Sequence, residues 1–280
     1  MTAAPPFDIA ELRIGENRLP CPQCDRGPKD KALAVRREDD GRVVWRCHRC
    51  GWSGAAGRET QPAAPRSKPA KPTPHRDGLA PWAAREWAAA QPLHGAALAY
   101  LQARACRIPP EGSHLRCNPD LQHPNGYTGP GLVALVTDAR TGQPISLHRT
   151  WVLASGEKAP LETPRLLAAG HRKAGGVIRL FPMDRGQPLG ICEGIETALS
   201  LAHADLPVWA AIDAGNLAAL PVLRGVPELV IGVDADPAGE AAAKECSARW
   251  LAAGRRVRLV WPDAGCGDLN DVARMYAGHE

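Results

Sequence analysis

At 280 residues the chain is long enough for one sizeable core plus a smaller module. No run approaches the roughly 20 apolar residues that a bilayer-spanning helix needs. The opening MTAAPPFDIAELRIGENR has no basic flank ahead of an apolar stretch, so the expectation is a cytoplasmic protein without a membrane partner. The net charge of +4 hides an asymmetry: up to Arg76 there are 15 Lys and Arg against 9 Asp and Glu, and beyond it 19 against 21. The basic front would attract a polyanion, whereas the acidic back suits a cation.

Residues 1–54 read as a zinc ribbon. Cys21-Pro-Gln-Cys24 and Cys47-His-Arg-Cys50 are two CxxC knuckles with 22 residues between the inner cysteines. That spacing fits a Cys₄ site holding structural Zn²⁺, and nine cysteines without an export signal favour metal over disulfides. Between the knuckles, KALAVRREDDGRVVWRC predicts a hairpin bent at Asp40-Gly41. Arg46, Trp45 and Trp52 are candidate DNA contacts, through guanidinium to phosphate and indole to base; the two Trp equally suit the core of so small a module. Residues 55–78, AAGRETQPAAPRSKPAKPTPHRDG, are rich in Pro and small residues and predict a flexible linker.

Residues 79–185 predict a small α+β subdomain. Apolar positions at Trp82, Trp87, Leu93, Leu98 and Leu101 suggest two helices broken near Gln91-Pro92. A looser stretch follows from Cys106 to Pro130. Two strands then meet around Thr141-Gly142, and a third runs from Gly175 to Phe181. Arg149, Lys158, Lys173 and Arg179, with Arg165 and Arg172, are candidate groups for nucleotide or template phosphate.

Residues 186–280 alternate strand and helix, which predicts a Rossmann-like parallel sheet flanked by helices, the chain as a whole being α/β. LGICEGIETALSLA is a strand stopping at Glu193, then a helix. ELVIGVDADPAGEAAA is a strand ending on Asp234 and Asp236, with Pro237 opening the next helix. Ligands of such sheets sit beyond the carboxyl ends of the strands, and oxygen ligands of this kind suit Mg²⁺. Glu196, Asp268 and Asp271 each stand at a helix start, where capping or the dipole explains acid as well as a metal would. Asp213 also ends a strand, with an N-cap role favoured.

At EGIETAL and IGVDADPAGE the chain resembles the Toprim domain, shared by bacterial-type DNA primases, type IA and II topoisomerases and some nucleases. Helices, then a small mixed sheet, then Toprim further resemble the catalytic core of phage and plasmid primases, the likeness lying in AYLQARAC, LHRTW, GEKAP and HRKAGGVIRL. The resemblance implies a DNA primase making short RNA primers on a single-stranded DNA template from ribonucleoside triphosphates. Its setting would be replication of a phage, plasmid or integrated element. Glu193, Asp234 and Asp236 would be catalytic around Mg²⁺ or Mn²⁺, and the DLND turn would add Asp268 and Asp271. Because no GxxxxGK[ST] loop is present, a separate replicative helicase is the expected partner. Two alternatives stay open: a Toprim nuclease, since the same carboxylates can direct water, and a non-catalytic DNA-binding adaptor that loads a helicase.

Overall fold

The computed structural model describes residues 7–24, 26–27, 30–39, 41–56 and 78–278. It divides into an N-terminal unit and a larger body. In the N-terminal unit four strands, β1 (Gly15–Leu19), β2 (Leu33–Arg37), β3 (Val43–Cys47) and β4 (Ser53–Ala56), pair antiparallel in chain order. The alternation of VVWRC sets Val43, Trp45 and Cys47 inward and Val44 and Arg46 outward. The core is little more than Leu12, Leu33, Val35, Val43 and Trp45, too small to be secure without a cross-link. The expected bend between β2 and β3 is present, with Gly41 at φ +81°; Asp40 lies outside the described residues. Ala55 and Ala56, placed by composition at the start of the linker, belong to β4. The rest of that stretch, residues 57–77, lies outside the described residues.

The body opens with α1 (Pro81–Ala89) and α2 (Gly95–Ala103), broken at Gln91-Pro92 as the pattern predicts. Strand β5 (Leu115–Gln122) occupies part of the stretch that reads as loose. The hairpin of β6 (Thr128–Asp138) and β7 (Pro144–Trp151) follows, then β8 (Arg165–Leu167) and β9 (Gly176–Arg179). The βα alternation then runs β10 (Leu189–Cys192), α3 (Ile195–Leu201), β11 (Val208–Ala210), α4 (Ala214–Ala218), β12 (Glu228–Gly232), α5 (Pro237–Ala252), β13 (Arg256–Val260) and α6 (Leu269–Ala277).

The middle strands and the βα strands form one sheet, in the order β13-β12-β10-β11-β9-β6-β7-β8, with β5 on β6. Strands β10 to β13 are mutually parallel where they pair, and the antiparallel pairing of β11 with β9 joins the two halves. Alternation then divides the side chains cleanly. One face, formed by Leu132, Val136, Ile178, Ala210, Cys192 and Val230, packs with Tyr100 of α2, Leu199 of α3 and Leu269 of α6. The other face packs against α4 and α5 through Trp209, Ile191 and Ile231, and against α1 through Val133, Leu135 and Leu147. No described helix is long and apolar enough to cross a membrane.

Candidate functional site

The sulfurs of Cys21, Cys24, Cys47 and Cys50 all lie within 4.8 Å of one another. Cys21 Sγ is 3.7 Å from Cys50 Sγ, and Cys24 Sγ is 3.8 Å from Cys47 Sγ. A disulfide needs about 2.05 Å, whereas a tetrahedron with Zn–S bonds of about 2.3 Å has edges near 3.8 Å. The donor set and its spacing therefore fit structural zinc. Burial opposes ionisation of Cys47, but the N–H groups of Cys50 and Arg49 outweigh it and bring the thiol down to about 7. Burial raises Cys21 and pushes Cys24 up to about 12, so of these three the fold favours thiolate at Cys47 alone and a metal would have to draw the other protons off. Trp45 is only 8% exposed, edge-on to Phe7 and 5.6 Å from Trp52. Its indole belongs to the module's core, so it offers no stacking platform. Arg46 points outward and is exposed.

The acids of the body stand at the carboxyl ends of β10 and β12. These strands are parallel neighbours with Ile191 opposite Ile231, so Glu193 and Asp234 leave the sheet at one edge, within one residue of register. Asp234 and Asp236 immediately precede α5. One oxygen of Asp236 accepts from the N–H of Ala238 at 2.9 Å, which caps the helix and fixes that carboxylate. Gly239 completes the turn: a Cβ there would stand 2.5 Å from the carbonyl oxygen of Asp234, so any larger residue would push the helix off the acid loop. A bond from Ala235 N to Gly267 O, 2.8 Å, ties this loop to the one before α6. Asp268 caps α6 by accepting from Asn270 N and Asp271 N, and Asp271 accepts from Gly267 N. The buried Cys192 thiol is raised first by burial and then by the charges of Asp234 and Asp268, so both acids lie close beneath the same edge. Among the described residues only the cysteine quartet gathers three or more ligand atoms within 4.8 Å of one another. Glu193, Asp234 and Asp236 share an edge without forming such a cage.

Behind this edge lies a network with only a faint trace in the sequence. Glu196, 7% exposed, pairs with Arg165 and accepts from Tyr100 Oη at 2.5 Å. Burial alone would raise its pKa; Arg165, Tyr100 and Lys158 bring it down to about 2. Glu196, in the first turn of α3, is above all the counter-charge that joins α2, β8 and α3. Lys158 feels Arg165, Glu196, Arg104 and Asp268, and burial followed by Arg165 lowers it to about 8. Gly156, at φ +82°, lets the Lys158 loop press on α2, since a Cβ there would meet Ala103 Cβ at 2.5 Å. Asn270 reaches from α6 to the carbonyl of Arg104 at 2.7 Å and to Ser200 Oγ at 3.0 Å, and receives a bond from Arg104 Nη1. Tyr100, Arg104 and Asn270 lie in AYLQARAC and DLND, but no role is legible for them there, because their partners are distant in sequence.

Two expected phosphate groups turn elsewhere. Arg149 shares its register position with Val133, on the face opposite Arg165, which pairs with Thr150. It is buried against Glu86 of α1 at 3.6 Å and between the rings of Trp82 and Trp151. Arg179 is opposite Trp209, on that same face. Lys173 is paired with Asp213 at 2.5 Å, and Asp213 also caps α4. Beside it Ile212 holds φ +78°, costly for a β-branched residue and a sign that this end of β11 is held by its surroundings.

With this geometry in view, the comparisons with known proteins are specific in one region. The family model of the Toprim domain matches residues 188–278. These residues form a Toprim domain. A second model, a domain of unknown function (DUF7146), matches residues 77–180. No curated protein matches the chain. Among solved structures the chain is similar to the primase fragment of the bacteriophage T7 primase-helicase protein, at 14% identity over 95% of this chain and 97% of that one, with a TM-score of 0.42. It is similar also to the Aquifex aeolicus primase, zinc-binding and RNA polymerase domains, at 15% identity and a TM-score of 0.40, over 65% of this chain and 54% of that one. The Toprim edge thus carries Glu193, Asp234, Asp236 and the Asp268 loop, and carboxylates of this kind suit Mg²⁺ completed by water and phosphate oxygens.

Proposed function

We propose that the chain is a DNA primase, joining ribonucleoside triphosphates into short primers on single-stranded DNA. One juxtaposition carries the reading. The acid-tipped strands of a Toprim domain stand beside fixed cations, Lys158 within the field of Asp268 and Arg165 bound to Glu196. An acid edge alone would hold a cation, and a basic cluster alone would hold phosphate. Together they suit a triphosphate brought in with its metal.

Glu193, Asp234 and Asp236 would hold Mg²⁺ or Mn²⁺, which supplies a lowered pKa at the primer 3′-hydroxyl and stabilises the departing pyrophosphate. Lys158 and Arg165 would neutralise the phosphate charge the cation leaves over. Capping by Ala238 N–H keeps Asp236 oriented, so the metal finds it in place. Glu193 would either receive the hydroxyl proton at its carboxylate or join the cation. The N-terminal module would meet template through Arg46 and its neighbouring arginines, with zinc holding the small sheet together. A replicative helicase is the partner this reading calls for, and its co-purification with the chain would be the check.

The test is a gel assay with labelled single-stranded DNA, Mg²⁺ and ribonucleotides. Extension products are the expected result. Shortened DNA would replace the reading with a Toprim nuclease. Binding that persists in EDTA with no incorporation would replace it with an adaptor.

A further inference from the structure

We infer that the opposite face of the sheet carries a second anion site, separate from the acid edge, that takes a nucleotide phosphate. A cavity of ≈ 710 Å³ opens there, walled by Phe181, Met183 and Trp209 and bearing Arg140, Arg179 and Arg224. None of Glu193, Asp234, Asp236, Lys158 or Arg165 lines it. The three arginines come from the turn after β6, from β9 and from the loop before β12, so three segments distant in sequence converge on one hollow.

Arg179 is the informative member. Its side chain is half-buried, and its guanidinium donates to Thr137 Oγ1 and to the carbonyls of Asp138 and Ala139, at 3.3 and 3.2 Å. Its plane stacks over the Trp209 ring, 4.4 Å from the centroid. These partners fix its direction but carry no formal charge. The nearest acid, Asp138, gives its carboxylate to Arg172 at 3.0 Å. Burial therefore pushes the Arg179 pKa down, with Asp138 only partly opposing. A half-buried cation held by neutral acceptors is costly unless an anion completes it.

The surroundings point the same way. His114, in the same wall, is brought down to about 4 by burial and then by Arg179 and Arg116, so the local field is positive. The Nδ1 of His114 and the Nε1 of Trp209 find no hydrogen-bond partner among the described residues. Glu111 supplies an acidic group at the wall, against three guanidiniums. Forked guanidiniums suit phosphate oxygens, and the apolar wall of Phe181 and Met183 suits a flat ring beside them. A hollow of this size lies in the range that encloses a small ligand, about 300–1,000 Å³. The phosphate could come from a free nucleotide or from one nucleotide of a strand.

Calorimetry on the full chain in EDTA, which removes divalent cations from the acid edge, tests the site with two probes: ATP and a short oligothymidylate. Arg140 and Arg224 are exposed, so their reversal leaves the packing intact. The double variant Arg140→Glu, Arg224→Glu is expected to bind at least one probe about tenfold more weakly. Arg85→Glu, an exposed position on α1 outside the cavity lining, is expected to bind both probes as the parent does. Loss confined to ATP assigns a free nucleotide, and loss confined to the oligomer assigns the strand. Unchanged binding in the double variant overturns the site, as does equal weakening by Arg85→Glu. So does a parent that binds neither probe. Because the readout is binding without turnover, it stands or falls independently of primer synthesis.

Discussion

The cysteine quartet and the Toprim edge are both sets of side chains suited to a metal, yet they are built in opposite ways. The quartet is gathered, with four sulfurs within 4.8 Å of one another. Neutral thiols can pack against one another, and the β-knuckle N–H groups already favour thiolate at Cys47. The edge carboxylates are aligned along one margin of the sheet but not gathered. Like charges at close range repel, and water solvates them better apart. The lesson is that the first site is a staple whose geometry is complete in the protein. The second, on the function proposed above, would close only around a cation and a phosphate.

The sharpest way to break that contrast is at Asp234. Replacing it, or Asp236, with Ala is expected to reduce nucleotide incorporation about a thousandfold or more, while circular dichroism stays near the parent's and the Asp236 variant loses only the cap of α5, about 1 kcal/mol in urea. Incorporation persisting in both variants would remove the edge as the reactive centre. The quartet should respond in reverse. Cys24→Ser is expected to lose bound zinc by elemental analysis and to open the N-terminal module to protease, because metal-binding free energy is folding free energy in so small a core. The body, with its own core, should keep its thermal transition. A module that stays protease-resistant after chelation would show that the metal is not its staple.

The same contrast explains what could be read in advance. CxxC pairs are local signals, and so are strands ending in EGIET and DADPAGE. The chemistry of each is set by neighbours in sequence, and the structure bears out the quartet and the Toprim fold. The cations were harder. Arg149 reads as a strand arginine and Arg165 only as one more cation of a basic stretch, but Arg165 stands opposite Thr150, one residue on from Arg149, and so takes the opposite face. Register depends on long-range pairing of β6, β7 and β8, which no local pattern reports. Strand β5, with Pro119 inside it and a bulge between Asn118 and Leu121, has too irregular a pattern to announce itself. Glu196 was legible as an acid at a helix start, but its partners Arg165 and Tyr100 are 31 and 96 residues away.

Glu196 therefore offers a test of how the edge is supported. Its folded pKa, about 2, lies below the ordinary 4.5. A carboxylate so depressed adds stability that is fully present above about pH 4.5 and is lost as pH falls toward 2. The shift corresponds to about 3 kcal/mol. Glu196→Gln is expected to lower the urea-derived stability at pH 7 by about that much, since Arg165 loses its counter-charge. The difference between variant and parent should shrink as pH is lowered from 5 toward 2. A difference that stays constant over that range would mean that the residue acts through packing and not through charge.

The smallest expected effect is the most specific to the acid edge. Lys158 is brought to about 8 by burial and by Arg165, with Glu196 holding it up. If its ammonium meets triphosphate, binding should weaken as pH rises through 8, because the neutral amine attracts no phosphate. The KM for nucleotide is then expected to climb about tenfold between pH 7 and pH 9, with kcat changing less. Lys158→Arg keeps its charge throughout this range and should flatten the climb. Glu196→Gln withdraws the carboxylate that supports the ammonium and should move the inflection to lower pH. A climb identical in parent and Lys158→Arg would assign the titration to another group and leave Arg165 as the phosphate cation on this face.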